Sequence, residues 1–161
     1  AAAILLLVVY RVVGPGLGAP PLHDITTNVD NPPQFTKLTV RADNLIGVGT
    51  IAGWREAHRA GYPEIAPITV AGSPAEVLAK ARELAEARGW EIAAYDPATG
   101  HMEATAFAAY IRFRDDVIVQ VTALEAGGTR VDMRSVSRVG LSDLGYNAAR
   151  VKEFLGALAA S

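Results

Sequence analysis

From Phe107 to Ser135 the chain repeats with a period of two. Phe107, Ala109, Ile111 and Phe113 alternate with Ala108, Tyr110 and Arg112; then come Val117, Val119, Val121 and Ala123, and then Val131, Met133 and Ser135. Side chains of a strand point alternately to opposite faces, so three such runs in succession predict antiparallel strands with one face buried and the other polar. The turns propose a register. A three-residue loop at Arg114, Asp115 and Asp116 pairs Phe113 with Val117 and Ile111 with Val119, and a loop over Glu125 to Thr129 pairs Val121 with Met133. A slip of one residue would turn either apolar set to the wrong face.

The flanking segments supply the partners such a sheet requires. Ser73-Pro74-Ala75-Glu76 reads as a helix start, with Ser as N-cap, Pro in the first turn and Glu closing a capping box. Val77, Leu78, Ala81, Leu84 and Ala85 continue one face to about residue 88, and Gly89 suits the C-terminal cap. Ile68 to Val70 reads as a short strand, and Trp90 to Tyr95 pairs as a hairpin with the strand that begins at Met102, around Asp96 to Gly100. A second helix is expected from about Asp143 to Ala159, capped by Ser142, with Leu144, Ala148, Val151, Leu155 and Leu158 as its stripe. Residues 51–66 read ambiguously, because Gly53, Gly61 and Pro63 interrupt a helical pattern while Trp54 and Tyr62 offer aromatic surface for partner contacts. Pro21 to Thr50, rich in Asp, Asn, Thr and Pro, is expected as an extended strap. The fold class is thus α+β: an antiparallel sheet of about five strands with two helices on one face, in a single domain over 21–160.

At the other end of the hydropathy scale, residues 1–9 are uninterrupted apolar, followed by Tyr10, Arg11, Val12 and Val13 and a Gly/Pro-rich linker over 14–20. A bilayer-spanning helix takes about 20 apolar residues, so the expectation is that 1–13 form the C-terminal part of a longer transmembrane anchor. Tyr10 and Arg11 then lie where aromatic and cationic side chains settle at the headgroup level. The hydrophobic region of a cleaved signal peptide, or a buried helix, are the alternatives. Gly14 to Gly18 superficially suggest a phosphate loop, but they open no helix and read as linker. The formal charge of −2 argues against nucleic acid as a partner, since phosphate neutralisation needs a surplus of Lys and Arg. The absence of cysteine excludes disulfides, thiolate metal sites and a Cys nucleophile.

Several strings together resemble the domain-of-unknown-function 1499 family. They are Pro21-Leu22-His23-Asp24-Ile25-Thr26-Thr27, Asp30-Asn31-Pro32-Pro33-Gln34-Phe35, Tyr62-Pro63-Glu64-Ile65-Ala66-Pro67, Gly89-Trp90, Glu103-Ala104-Thr105-Ala106, Phe113 to Val117, Val131 to Gly140, and Ser142-Asp143-Leu144-Gly145. The resemblance spans about residues 20–158 and implies an exported or membrane-anchored bacterial protein with no agreed activity. It places the domain on the periplasmic side of an inner membrane. Leu38 to Ala60 stands out as an insert-like stretch where a specialised partner contact would lie.

On the proposed register, the sheet face away from the helices carries Tyr110, Arg112, Gln120, Thr122, Asp132 and Arg134, with Asp116 near Arg138. Such a cluster suits an anionic ligand, the arginines serving as forked donors. The competing expectation is a structural face, covered by the strap and satisfying its backbone. His23-Asp24 admits an acid/base reading, or with His101 and Glu103 a metal reading, but neither has diagnostic spacing. Asp24 and Asp30-Asn31 read as turn residues, and Asp115-Asp116 as a hairpin loop. No catalytic residue, metal or cofactor is assigned. The expectation is a non-catalytic accessory subunit of a membrane protein complex, with a small-molecule binding protein or an unrecognised hydrolase as alternatives.

Overall fold

The computed structural model describes residues 20–107 and 113–161. Its elements run β1 (Asp24–Thr26), α1 (Ile51–Gly61), β2 (Ile68–Val70), α2 (Pro74–Ala87), β3 (Glu91–Asp96), β4 (His101–Phe107), β5 (Arg114–Ala123), β6 (Thr129–Ser137) and α3 (Tyr146–Ala159). Among the described residues the fold is α+β, an antiparallel sheet with three helices where two were expected in the domain. Strands β6, β5, β4 and β3 lie side by side, and β1 and β2 share the outer edge of β6 end to end, which makes six strands rather than about five. The apolar stretch at the N-terminus, with Tyr10 and Arg11, lies outside the described residues. Among the described residues no helix is long and apolar enough to cross a membrane.

Two registers differ from the sequence expectation. Arg114 to Asp116 are the first residues of β5 instead of a loop, so Val117 pairs with Ala104 and Val119 with Met102. Asp115 and Asp116 tolerate a strand because each has an arginine partner, one on each face of the sheet. Val121 pairs with Val131, not Met133, which instead faces Val119. That slip is two residues, so every side chain keeps its face.

Val117, Val119, Val121, Met102, Val131 and Met133 pack against α2 and α3 in one continuous core. The capping box at Ser73 and Glu76 is present as expected, and Val77, Leu78, Ala81 and Ala85 are buried. Helix α3 starts later than expected. Its capping group is Asp143, whose carboxylate accepts the amides of Gly145 and Asn147, while Ser142 accepts only from Leu144. Leu144 therefore falls outside the helix and is exposed, whereas Ala148, Val151, Leu155 and Leu158 form the buried stripe with Phe154. The ring of Phe154 stacks on Trp90 at 4.9 Å.

Residues 51–61, read as ambiguous from sequence, form a regular helix. The supposed breakers sit at its ends: Thr50 caps it by accepting the Gly53 amide, Gly61 is its last residue, and Pro63 lies beyond. Trp54, His58 and Tyr62, spaced four apart, point inward and meet edge to face, with centroids 5.7 Å and 5.9 Å apart. Their role is to close the open edge of β1. The Trp54 indole N–H donates to the Asp24 carbonyl at 3.0 Å, and the Thr26 amide donates to His58 Nε2 at 3.1 Å. Two side chains thus take the place of a missing neighbouring strand, which leaves that edge unavailable for pairing with another chain.

Candidate functional site

Directly paired residues share a face, so the sheet pairings line up Glu103, Ile118, Arg134 and Thr26 in one row behind the core. His101, Gln120 and Asp132 form a second row, and Thr105, Asp116, Val136 and Asp24 a third. The strap over residues 27–50 lies across this face, and its peptide groups are satisfied by buried charges below. Arg134 grips Asp24 with a two-pronged fork, Nε to Oδ1 at 2.9 Å and Nη2 to Oδ2 at 2.7 Å, and gives its third donor to the Pro33 carbonyl at 3.1 Å. Its guanidinium lies 5.9 Å from the centre of the Phe35 ring, a contact with the strap itself. Asp24 and Arg134 are both buried.

Glu103 is fully enclosed and works in the opposite polarity. Its carboxylate accepts the successive amides of Thr36 (2.6 Å), Lys37 (3.0 Å) and Leu38 (2.6 Å), the Thr36 hydroxyl (2.8 Å) and His101 Nε2 (2.7 Å). Burial alone would push its pKa up. The donors from Leu38, Thr36, His101 and Lys37 outweigh burial and hold it at about 2. A carboxylate within a nest of amides fixes the strap at this point without a regular strand pairing.

Two further carboxylates anchor the end of the sheet. Asp116 takes Nε and Nη2 of Arg138 at 2.9 Å and 2.8 Å and the Thr105 hydroxyl at 3.1 Å, as the sequence suggested for Asp116 and Arg138. On the core face Asp115 receives Arg150 Nη2 at 2.7 Å, and Arg150 Nη1 also reaches Ser135 and Asn147. Arg150 is thus an internal tie between α3 and the sheet. Asn147, fully buried, donates to the His23 carbonyl and to Ser137. Burial raises the pKa of the neighbouring Asp143 despite its amide donors.

His23 and Asp24, adjacent in sequence, do not form a direct pair. Asn44 stands between them, its amide nitrogen donating to Asp24 Oδ2 and its oxygen facing His23 Nε2 at 3.2 Å. Asp24 is a strand residue rather than a turn residue. The proposed polar cluster separates into distinct groups. Gln120 donates to the Thr99 carbonyl and faces His101, Asp132 pairs with Arg130 and accepts from Thr27, and Thr122 is exposed opposite Arg130. Tyr110 and Arg112 lie outside the described residues. Trp54 and Tyr62, expected on the surface, are 5% and 7% exposed and belong to the interior. The Tyr62 hydroxyl has no hydrogen-bond partner among the described residues, and burial pushes its pKa up to about 12. No group of three His, Cys, Asp or Glu positioned for a metal occurs among the described residues.

Where the strap meets the N-terminal half of α1, a cleft of about 430 Å3 opens toward solvent. Asp24 and Arg134 are at its base, Leu45, Ile51 and Trp54 form an apolar wall, and Asn31, Gln34 and Arg55 stand around it. Arg55 is tethered to the Val29 and Asp30 carbonyls at 2.9 Å and 3.0 Å. Sequence reasoning assigned no ligand role to Asn31, Gln34 or Arg55 individually; the available signal was that Arg55 lies within the insert-like stretch and Asn31 and Gln34 just before it.

The family model described as "Protein of unknown function (DUF1499)" matches residues 24–158, so the chain belongs to that family, and the resemblance carried by its motifs holds. No curated protein matches the chain.

Proposed function

We propose, from this family membership and the geometry of the cleft, that the chain is a non-catalytic binding domain tethered to a membrane. In this reading it serves as an accessory subunit of a membrane protein assembly, on the periplasmic side, and the apolar segment 1–13 supplies the tether. One observation carries the binding role: the charged groups of the cleft are already committed to the fold. Arg134 spends its donors on Asp24 and Pro33, Asp24 is bonded to Arg134 and Asn44, and Arg55 holds strap carbonyls. What the cleft presents outward is shape, amide groups, the Asp30 carboxylate in its exposed pair with Arg59, and an apolar lip, with Ile51 56% exposed. A tether raises the local concentration of such a surface near other membrane proteins and so supports a shallow, selective contact.

The test is recovery of the tagged full-length chain from native membranes in mild detergent, beside an Ile51→Glu variant of equal thermal stability. A partner protein retained by the parent and lost from the variant is the expected result. A partner-free parent monomer refutes the accessory role. The cleft volume also favours a second reading, since small-molecule pockets occupy about 300–1,000 Å3. Native mass spectrometry of the same preparation distinguishes the two, a bound molecule of low mass pointing to the second.

A further inference from the structure

Large apolar side chains are exposed very unevenly over this surface. Phe113, Val139, Leu141 and Leu144 are 51%, 50%, 60% and 41% exposed, and the topology gathers them at one end of the sheet. Phe113 immediately precedes β5 and Val139 follows β6; the strands are antiparallel, and the Arg138 amide donates to the Arg114 carbonyl where the two continue past the sheet. Leu141 and Leu144 lie on the loop leading to α3. Leu144 has φ 54, a left-handed conformation that is sterically unfavourable for a side chain of this size, yet it holds that side chain out in water. Beside Phe113, the exposed Arg114 forms no ion pair among the described residues and lies over the Phe107 ring. The opposite end of the sheet, at 97–100 and 124–128, carries no exposed large apolar residue.

The chain also enters the domain at this end. The Leu22 carbonyl accepts the Asp143 amide, and His23 reaches the Leu141 carbonyl. The eight residues 14–21 separate Leu22 from the apolar segment, so the chain between Val13 and Leu22 spans at most about 30 Å when fully extended. A domain of this size is roughly 35–40 Å across. If the apolar segment lies in a bilayer, the entry end of the sheet is tied to within about 30 Å of the lipid, whereas the far end carries no such tie.

We infer that the end of the sheet bearing Phe113, Val139, Leu141 and Leu144 is a lipid-contacting surface whose loop tips sit in the interfacial layer of the bilayer, with Arg114 at the level of the phosphates. The inference rests on the tethered reading above and adds an orientation to it: β-strands steep to the membrane, the Leu141–Leu144 loop down, the 124–128 turn away. Apolar tips flanked by a cation are the composition that partitions into the headgroup region.

Because the sequence contains no cysteine, single-cysteine labelling is clean. Full-length Leu5→Cys, Leu141→Cys, Leu144→Cys and Glu125→Cys chains, each carrying an environment-sensitive fluorophore, are reconstituted into phosphatidylcholine/phosphatidylglycerol vesicles. Nitroxide-bearing lipids then report contact. The expected result is loss of most emission at positions 5, 141 and 144 and none at 125. Quenching at 5 alone, with 141 and 144 behaving like 125, overturns the lipid-facing surface while leaving the tether intact. Absence of quenching at 5 overturns the tether and the orientation together. Equal quenching at 125 and 141 shows the domain lying on its side and also overturns it. Unchanged thermal unfolding of each variant confirms that the fold is retained.

Discussion

Replacing Glu103 by Gln isolates the strongest tie between strap and sheet. The substitution keeps the shape of the side chain and removes its charge, which makes it a stand-in for the protonated carboxyl. The drop from the ordinary value of 4.5 to about 2 corresponds to about 3 kcal/mol of folding free energy. The folded carboxyl binds a proton more weakly than the unfolded one. Its contribution is therefore complete above the unfolded value near 4.5 and is lost as pH falls toward about 2. Glutamine also turns an amide N–H2 toward the Thr36, Lys37 and Leu38 donors, so part of the nest goes unsatisfied. Urea unfolding of parent and variant from pH 8 down to pH 2.5 is the assay. The variant is expected to be less stable by about 3 kcal/mol from neutral pH down to about pH 5, the gap narrowing only below that. Taking the difference between the two chains cancels the carboxylates that do not touch Glu103. A gap that does not change with pH, or none at all, refutes the claim that a charged Glu103 holds the strap.

The edge closure by α1 predicts a separate pH dependence. His58 must be unprotonated at Nε2 to accept the Thr26 amide, and burial lowers its pKa. Its contribution is thus present above the unfolded value near 6.5 and lost as pH falls from there through the lower folded value. Chemical denaturation of His58→Ala at pH 8 is expected to show a loss of about 2–4 kcal/mol, with His58→Gln recovering part of it through its carbonyl oxygen and losing the sensitivity between pH 7 and 5. The Asp24–Arg134 fork makes the third prediction. Arg134→Ala leaves a buried carboxylate without its partner and is expected to cost about 3–5 kcal/mol, whereas the Asp24→Asn/Arg134→Met double variant loses less than the sum of its single changes in the same denaturation assay.

Local patterns made much of the scaffold legible. Ser73, Pro74 and Glu76 specify the start of α2 by themselves, because a capping box is satisfied within four residues. Period-two alternation located β5 and β6, and the expectation that the strap lies over the polar face was correct. The failures share a cause: the deciding partner is distant in sequence. Asp115 and Asp116 look like a loop until Arg150 and Arg138 arrive from 35 and 22 residues away. Most of the donors to Glu103 are backbone amides of the strap, 65 to 67 residues distant, and no side-chain pattern reports them. Helix α1 was obscured because Gly53 and Gly61 count as breakers wherever they lie, whereas at the ends of a helix they break nothing. The spacing of Trp54, His58 and Tyr62 was the signal that outweighed them.

Many of the residues that carry the family resemblance tie the strap to the sheet or the strands to one another. Asp24, Pro33, Glu103, Asp116, Arg134 and Arg138 all take part in the buried ties described above. A motif of charged residues brought together from distant parts of a chain invites an active-site reading, but here its chemistry is consumed in placing a segment that has almost no secondary structure of its own. Such a segment cannot satisfy its peptide groups by regular pairing, so buried side chains must do it. The cleft follows from this arrangement. Its base is rigid because Asp24 and Arg134 are locked, while its wall is supplied by Leu45, Ile51 and Arg55 from the insert-like stretch. Residues 44–55 and the lip of the strap line the opening of the cleft, and among them Asn44 and Trp54 also bond Asp24 at its base. Functional differences between chains of this fold should accordingly be sought around that lip, not among the motif residues that make the strap–sheet assembly possible.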